Sequence, residues 1–380
     1  MNYQISITQK CNLNCTYCYE KNKNYHEYMD HERIQQVCDF ILNDYIRRKE
    51  KDHYLGINIT GGEPLLHLDS VKFILSYFDE QEKIHEGLNV HFEISTNGTL
   101  FNDNVIELLN KRNVSLFIGI DGMAKSQNLS RKTVTSKGTF DIVKFKINKI
   151  VNLDAINFEN IILNMVVTPQ NVKYMFKNYR FLYDLSKGKE ISINPALEEQ
   201  WNLKEIKKYQ KELRKVNKKY YKILEKKQGD FAFLLTDKQA NIILADNQKV
   251  FSMTDCGACR DSLTITTRGE IIPCGGFLYA YKDVGCLKIG TIEKPIDETK
   301  INDFRDCIRF ELSTCKDCQF LHKCVYFCPA NNFKTTGDMN KTSFAICEIN
   351  KATIIETERF LNYFYKHNKQ LLVQKYRNLE

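Results

Sequence analysis

Residues 3–18 read Tyr3-Gln4-Ile5-Ser6-Ile7-Thr8-Gln9-Lys10-Cys11-Asn12-Leu13-Asn14-Cys15-Thr16-Tyr17-Cys18. The first part alternates apolar and polar side chains, which is the period of a strand. The loop that leaves it carries Cys11, Cys15 and Cys18 in the spacing Cys-x3-Cys-x2-Cys. Outward from there, strand-like and helix-like segments take turns. Helical periodicity covers 31–45, 68–77, 103–110, 139–151 and 172–185, and strands are expected at 55–60, 89–95, 114–120, 161–167 and 191–194. Strands separated by helices of roughly 10–15 residues make βαβ units and a parallel sheet. With the opening strand, these segments predict an α/β fold, a partial (β/α)6 TIM-like barrel over residues 1–200. In such barrels chemistry sits on the loops after the strand C-termini. The cysteine loop, Gly61-Gly62-Glu63-Pro64 and Thr96-Asn97-Gly98-Thr99 all fall at such places.

Beyond the barrel, a long charged helix over 203–227 and a shorter one over 236–244 form a helical linker, residues 201–250. From Asp255 the texture changes: cysteines crowd, periodicity weakens and turns multiply. That marks a Cys-rich cluster domain over 251–350. An amphipathic helix over 349–365 then leads the C-terminal segment, 351–380. The chain has 380 residues, 43 % of them hydrophobic, so global disorder is excluded. No run approaches the ~20 apolar residues of a membrane span. Met1–Lys10 lacks the pattern of a secretion signal, and a cytoplasmic, membrane-free protein is expected. The net charge of +8 is mild, and much of it lies between Lys204 and Lys227. A charge run of that kind reads as a solvated helix face, so no nucleic-acid partner is expected.

The outlier is cysteine, with 14 residues against 6 Pro and 1 Trp. In a long chain without a secretion signal, this points to metal or cluster ligation. Three thiolates spaced as Cys11, Cys15 and Cys18 can grip three irons of a 4Fe–4S cube and leave the fourth for a substrate or cofactor. Zinc wants four ligands, and no fourth lies nearby in sequence. Near the C-terminus come Cys259-x9-Gly269-x4-Cys274, then Cys315-x2-Cys318-x5-Cys324-x3-Cys328, then Cys347. With Cys256 this makes eight thiolates, enough for two fully ligated cubes. A zinc ribbon over 315–328 is the competing reading. Cys38 reads as a small buried hydrophobe in a helix. Cys286 and Cys307 read as structural, the sharper alternative being a further cluster ligand or a thiol facing the substrate. Asp255 and Asp261 read as solvated loop carboxylates rather than proton relays. Phe277, Tyr279 and Tyr281 alternate like a strand and are expected in the core or a cavity wall.

Cys11-x3-Cys15-x-Tyr17-Cys18 followed by Gly61-Gly62-Glu63-Pro64 resembles the radical S-adenosylmethionine (SAM) enzymes. The seven-cysteine pattern from Cys259 to Cys347 resembles their SPASM extension. The resemblance implies three 4Fe–4S clusters and SAM, whose amino and carboxylate groups chelate the unique iron. The reduced cluster then cleaves SAM to a 5′-deoxyadenosyl radical that abstracts a hydrogen atom. It further implies that Gly61, Gly62 and Glu63 receive the methionine amine and that Ser95, Thr96 and Asn97 lie near the ribose. Arg131 pairs with the methionine carboxylate, a task its fork geometry suits. Tyr17 is the aromatic residue preceding the last cysteine. Gly119 stands where relatives often carry a serine that contacts the ribose. Cys256, Cys259, Cys274 and Cys328 would hold one auxiliary cluster; Cys315, Cys318, Cys324 and Cys347 would hold the other.

SPASM enzymes act mostly on peptides and proteins. The implied function is maturation of a ribosomally made precursor peptide, by a Cys thioether crosslink. The alternatives are an anaerobic sulfatase maturase, which converts Cys or Ser to formylglycine, and a non-catalytic iron–sulfur electron carrier. Sulfatase maturases carry an aspartate base just after the cysteine equivalent to Cys274. Here that residue is Gly275, expected to leave space for an incoming peptide thiolate. No catalytic residue is assigned. The implied partners are a short precursor peptide with its leader and an electron donor such as flavodoxin or ferredoxin. With ten residues before Cys11, leader recognition is expected from the barrel, the cluster region or a separate leader-binding protein.

Overall fold

The computed structural model describes residues 1–18, 26–48, 54–110, 112, 114–152, 161–227, 231–245, 257–282, 284–308, 315, 317–324 and 328–376. The elements run β1 (Asn2–Thr8), α1 (His31–Arg48), β2 (Tyr54–Gly61), α2 (Leu68–Ile84), β3 (Asn89–Thr96), α3 (Asp103–Asn110) and β4 (Val114–Gly119). They continue with α4 (Ala124–Ser130), α5 (Phe140–Val151), β5 (Ile161–Val167), α6 (Met175–Leu185), β6 (Glu190–Pro195), α7 (Leu203–Lys226) and α8 (Leu234–Leu244). The remainder is β7 (Ser262–Ile265), β8 (Glu270–Ile272), β9 (Gly290–Thr291), α9 (Glu298–Cys307), α10 (Pro329–Thr336) and α11 (Phe344–Lys375). The strand–helix alternation expected over residues 1–200 is there, as an α/β fold with a parallel sheet.

By compactness the chain divides into two units. The first holds Met1–Gly119, Arg131–Ile161 and Cys256–Arg309. In it β4, β3, β2, β1 and β7 pair in parallel in that order, and β8 and β9 add antiparallel. Tyr3, Ile5 and Ile7 of β1 are buried, as are Ile34, Val37, Cys38 and Ile41 along one stripe of α1. This is the spacing of an amphipathic helix covering a sheet. A buried bond fixes that packing: Tyr3 Oη donates to Asp44 Oδ2 at 2.6 Å.

The opposite side of these strands is polar in one row. The register places Thr264, Gln4, Asn58, Glu93 and Ser115 beside one another across β7, β1, β2, β3 and β4. A central parallel strand is ordinarily apolar on both faces. Polar residues in its middle therefore mark an inner surface that meets something other than hydrocarbon.

The second unit holds Ile120–Ser130, Ile162–Asp255 and Phe310–Glu380. There β5 and β6 pair in parallel, and α7 lies against α11. Glu356, fully buried on α11, takes a bidentate bond from Arg214 of α7, both contacts at 2.9 Å. Asn202 caps α7 by accepting from the Lys204 and Glu205 amides. Lys204, Lys207, Lys211, Lys218 and Lys222 of α7 are exposed, so the charge run is a solvated face. Among the described residues no helix is long and apolar enough to cross a membrane.

Three differences from the sequence reading stand out. Helix α4 was not expected; its Ser, Gln and Asn side chains carry no apolar period. Strands β7, β8 and β9 are only 4, 3 and 2 residues long and form by pairing on the edge of β1. Phe277, Tyr279 and Tyr281 are not a strand. A 3-10 turn over Gly275–Phe277 leads into further turns, with Tyr281 N donating to Phe277 O at 3.0 Å. Phe277 and Tyr281 are nonetheless buried, as a core reading requires.

Candidate active site

The cysteine loop leaves β1 and is pinned from two sides. Asn14 N donates to Lys132 O at 2.8 Å, and Leu13, 1 % exposed, bridges to Thr133. Cys11 is buried; its Sγ accepts from Leu13 N at 3.4 Å and lies 3.9 Å from Asn97 Nδ2. Cys15 and Cys18 are half-buried and joined by a tight turn, Cys18 N to Cys15 O at 3.1 Å. Among the described residues no three His, Cys, Asp or Glu side chains are grouped to hold a single metal ion.

Gly61 and Gly62 press against this loop. Gly61 has φ +136°, and a Cβ on it would stand 2.2 Å from Thr8 O; one on Gly62 would stand 2.3 Å from Lys10 O. No other residue type fits there without moving the cysteine loop. Two amide bonds complete the join, Gly62 N to Thr8 O at 2.7 Å and Glu63 N to Lys10 O at 2.9 Å.

Glu63 is wholly buried and its carboxylate is fully engaged. Oε1 accepts from Thr96 Oγ1 at 2.8 Å and Leu65 N at 3.2 Å; Oε2 accepts from Asn97 N at 2.7 Å. It ties the end of β3 to the turn after β2. Asn97 then donates to Asn12 Oδ1 at 2.8 Å and accepts from Thr99 Oγ1 at 2.6 Å. One hydrogen-bonded set thereby joins Asn12, Glu63, Thr96, Asn97 and Thr99. Ser95 faces the other way, its hydroxyl donating to Asn58 Oδ1 at 3.4 Å.

Arg131 is 8 % exposed, with its guanidinium 5.5 Å over the Tyr17 ring. The departure at Gly119 has a cause here. A Cβ on Gly119 would lie 2.4 Å from Arg131 Nη1, so the space a serine would fill is taken by the guanidinium.

A cavity of about 370 Å³ adjoins the polar row, lined by Gln4, Asn58, Glu93, Ser115, Thr264 and Cys274. Asn58 Nδ2 donates to Glu93 Oε1 at 2.7 Å, and burial raises the Glu93 pKa above the usual carboxylate range. A buried, shifted carboxyl in a cavity is a mark of functional sites. Gln4, Asn58 and Glu93 were missed by sequence reading, although polar residues inside parallel strands were the available signal.

Next to Cys274 comes a correction. Gly275 does not leave open space, because a Cβ there would meet Gln4 Nε2 at 2.4 Å and Oε1 at 2.6 Å. A neutral amide fills the place expected to be empty.

Cys259 is buried and held in the left-handed region, φ 58°, by its amide bond to Ser262 O at 3.0 Å. Cys259 and Cys274 lie in the first unit; Cys256, with Asp255, lies outside the described residues. Cys315, Cys318, Cys324, Cys328 and Cys347 lie in the second. There Cys318 N donates to Cys315 O at 2.9 Å, and Cys328 starts α10. Burial raises the Cys347 pKa, and the nearby Cys318 and Cys315 add to it. Those three cysteines therefore share one neighbourhood.

A family model described as the Radical SAM superfamily matches residues 5–182. A cysteine-type anaerobic sulfatase-maturating enzyme of Clostridium novyi is 23 % identical over 345 residues, spanning 85 % of this chain and 86 % of that one. The radical SAM cyclopropyl synthase TigE of Paramaledivibacter caminithermalis is 26 % identical over 220 residues, 53 % of this chain and 44 % of that one. The structure of anSMEcpe with bound AdoMet and Cp18Cys peptide matches at a TM-score of 0.72 with 18 % identity, over 100 % of this chain and 99 % of that one. Streptococcus suis SuiB bound to precursor peptide SuiA matches at 0.61 with 18 % identity, over 91 % and 75 %. At such identities the two structures speak for the fold alone.

Proposed function

We propose that this chain, whose residues 5–182 match the Radical SAM superfamily model, is a radical SAM enzyme of the SPASM type that modifies a ribosomally made precursor peptide by forming a Cys thioether crosslink. As an enzyme it is not the electron carrier weighed above. The donor set suits the cofactor: three cysteines on one loop, Cys11 buried beside the Asn97 amide. Cys11, Cys15 and Cys18 would hold a 4Fe–4S cluster with SAM, which together supply a 5′-deoxyadenosyl radical when bound. Cys256, Cys259, Cys274 and Cys328 would hold one auxiliary cluster; Cys315, Cys318, Cys324 and Cys347 would hold another.

The chain's own residues divide the remaining work. Both oxygens of Glu63 are engaged internally, so receiving the methionine amine falls to the backbone carbonyls of Gly61, Gly62 and Glu63. Arg131, held over Tyr17, presents a fork to the methionine carboxylate. Ser95, Thr96 and Asn97 border the ribose. The domain roles follow the sequence reading: 1–200 for SAM, 201–250 as linker, 251–350 for the auxiliary clusters and 351–380 as closing helix.

One observation carries the choice of reaction: Gln4 fills the place beside Gly275 where sulfatase maturases place an aspartate. An amide takes no proton at neutral pH, so a base-driven step at that position does not carry over. A cysteine asks least of a base, since a thiol ionises near pH ~8.5. The second reading, formylglycine formation, is favoured by the Clostridium novyi relative, which matches along most of both chains. A precursor peptide with its leader, a flavodoxin or ferredoxin donor and a separate leader-binding protein complete the proposal.

The test is co-expression with a candidate Cys-containing precursor, followed by mass spectrometry. A thioether makes the product lighter by two hydrogens per bridge and resistant to thiol alkylation. Unchanged mass with deuterium taken from solvent indicates epimerisation and overturns the proposal. Formylglycine on a sulfatase-derived peptide establishes the second reading instead.

A further inference from the structure

Two cysteines that no cluster claims are brought together by the fold. Cys286 sits in the 3-10 turn Gly285–Leu287, and Cys307 is the last residue of α9, which packs against that turn. Both are present as thiols, both are half-buried, and their side chains lie close enough to interact. The frame around them is firm. Leu287 and Phe304 are fully buried, and Phe304 meets Phe277 edge to face at 6.0 Å. The rim, by contrast, is open: a Cβ on Gly285 would touch nothing within 4 Å, and Arg305 and Asp306 are exposed. A rigid core therefore holds two thiols side by side at a place a small solute can reach.

We propose that Cys286 and Cys307 form a thiol–disulfide exchange site whose reaction partner is a low-molecular-weight disulfide. The chemistry balances without the clusters. A thiolate of the pair attacks one sulfur of the external disulfide, whose S–S bond breaks and releases one thiol. The second cysteine of the pair then displaces the other half, also as a thiol. One S–S bond forms between Cys286 and Cys307. The pair loses two electrons and two protons, and the external disulfide gains them.

Burial and the neighbouring Cys307 hold the Cys286 thiol above its ordinary pKa. Either thiol of the pair can make the first attack, and the other then resolves the mixed disulfide. Closing the pair requires the two sulfurs to reach the ~2.05 Å of a disulfide bond. Neither cysteine is one of the proposed cluster ligands, so closing the pair consumes none of them.

The experiment uses the reconstituted full-length enzyme, equilibrated anaerobically in buffers of rising oxidised-to-reduced glutathione. Samples are quenched with N-ethylmaleimide, digested without reduction and mapped by mass spectrometry. The expected result is one linked peptide pair joining Cys286 to Cys307. It should rise as both residues together lose their maleimide label, with iron content constant. In Cys307→Ser, no linked pair should form at any ratio and iron content should equal that of the wild type. Absence of the linked pair at every ratio overturns the proposal, as does a link from either residue to another cysteine. A fall in iron content in Cys307→Ser also overturns it, since that would make Cys307 a cluster ligand. The wild-type peptide map decides alone where the variant does not fold.

Discussion

Replacing Gly119 with serine tests how the C-terminal end of β4 is built. A Cβ at this position would come 2.4 Å from Arg131 Nη1 and 2.8 Å from its Cζ. The guanidinium, at the end of a flexible side chain, is the group that yields. Its displacement ends the contact over the Tyr17 ring at 5.5 Å. For a residue this buried, that contact is worth about 1–2 kcal/mol. With Arg131 as the partner of the methionine carboxylate, the same displacement also removes a charged hydrogen-bonded pair worth about 1.5–3 kcal/mol. That corresponds to a loss of roughly ten- to a hundredfold in SAM affinity. Anaerobic equilibrium dialysis of SAM against reconstituted Gly119→Ser, Arg131→Ala and the double variant measures it. Because both changes act through one guanidinium, the double variant should bind no more weakly than Arg131→Ala. Wild-type affinity in Gly119→Ser refutes the reasoning, and so do losses that add in the double variant.

Replacing Cys11, Cys15 and Cys18 together with alanine should remove roughly a third of about 12 Fe per chain and abolish SAM cleavage. Cys318→Ala should lower iron and solubility, whereas Cys38→Ala, whose thiol burial holds far above its ordinary pKa, should change neither; iron analysis and a 5′-deoxyadenosine assay decide. At the sheet–helix contact, burial works to raise the Asp44 pKa, but hydrogen bonds from Tyr3, Arg47 and Arg48 outweigh it and hold the carboxyl below its usual range. A depressed folded value gives stability that is full above about pH 4 and lost as pH falls through that value, so Asp44→Asn should flatten the acid limb of an unfolding-versus-pH curve and lower stability at neutral pH; an unchanged acid limb counts against it.

Much of the α/β fold was legible because its signals are local. Strands such as Ile161–Val167 and helices such as Asp103–Asn110 declare themselves by period and by the turns that flank them. What stayed hidden depends on distant partners. β7 exists because β1 has an open edge, and nothing inside Ser262–Ile265 announces that. The aromatic triplet was ambiguous in itself: residues at i, i+2 and i+4 satisfy a strand, while the outer two also satisfy a helical turn. The turn won, and Phe277 and Tyr281 share its buried side. At the site, cysteine spacing is a sequence property and could be read directly. Gly119 beside Arg131 and Gly275 beside Gln4 are contacts between separate strands and loops. The second of them reversed an expectation, since the absence of a side chain at one residue says nothing about which neighbour moves in.

The polar row across β7, β1, β2, β3 and β4 behaves like a set of interchangeable letters. Register is enforced from the apolar face: slipping any strand by one residue would turn Tyr3, Ile5, Ile57 or Phe92 into the cavity and strip the core on the other side. The row's own side chains carry little of that burden, because the apolar face and the backbone ladder hold alignment without them. Evolution, or an engineer, can therefore rewrite Thr264, Gln4, Asn58, Glu93 and Ser115 as one word facing one chamber. A lineage of such enzymes could diverge in what it accepts while its scaffold stays unchanged.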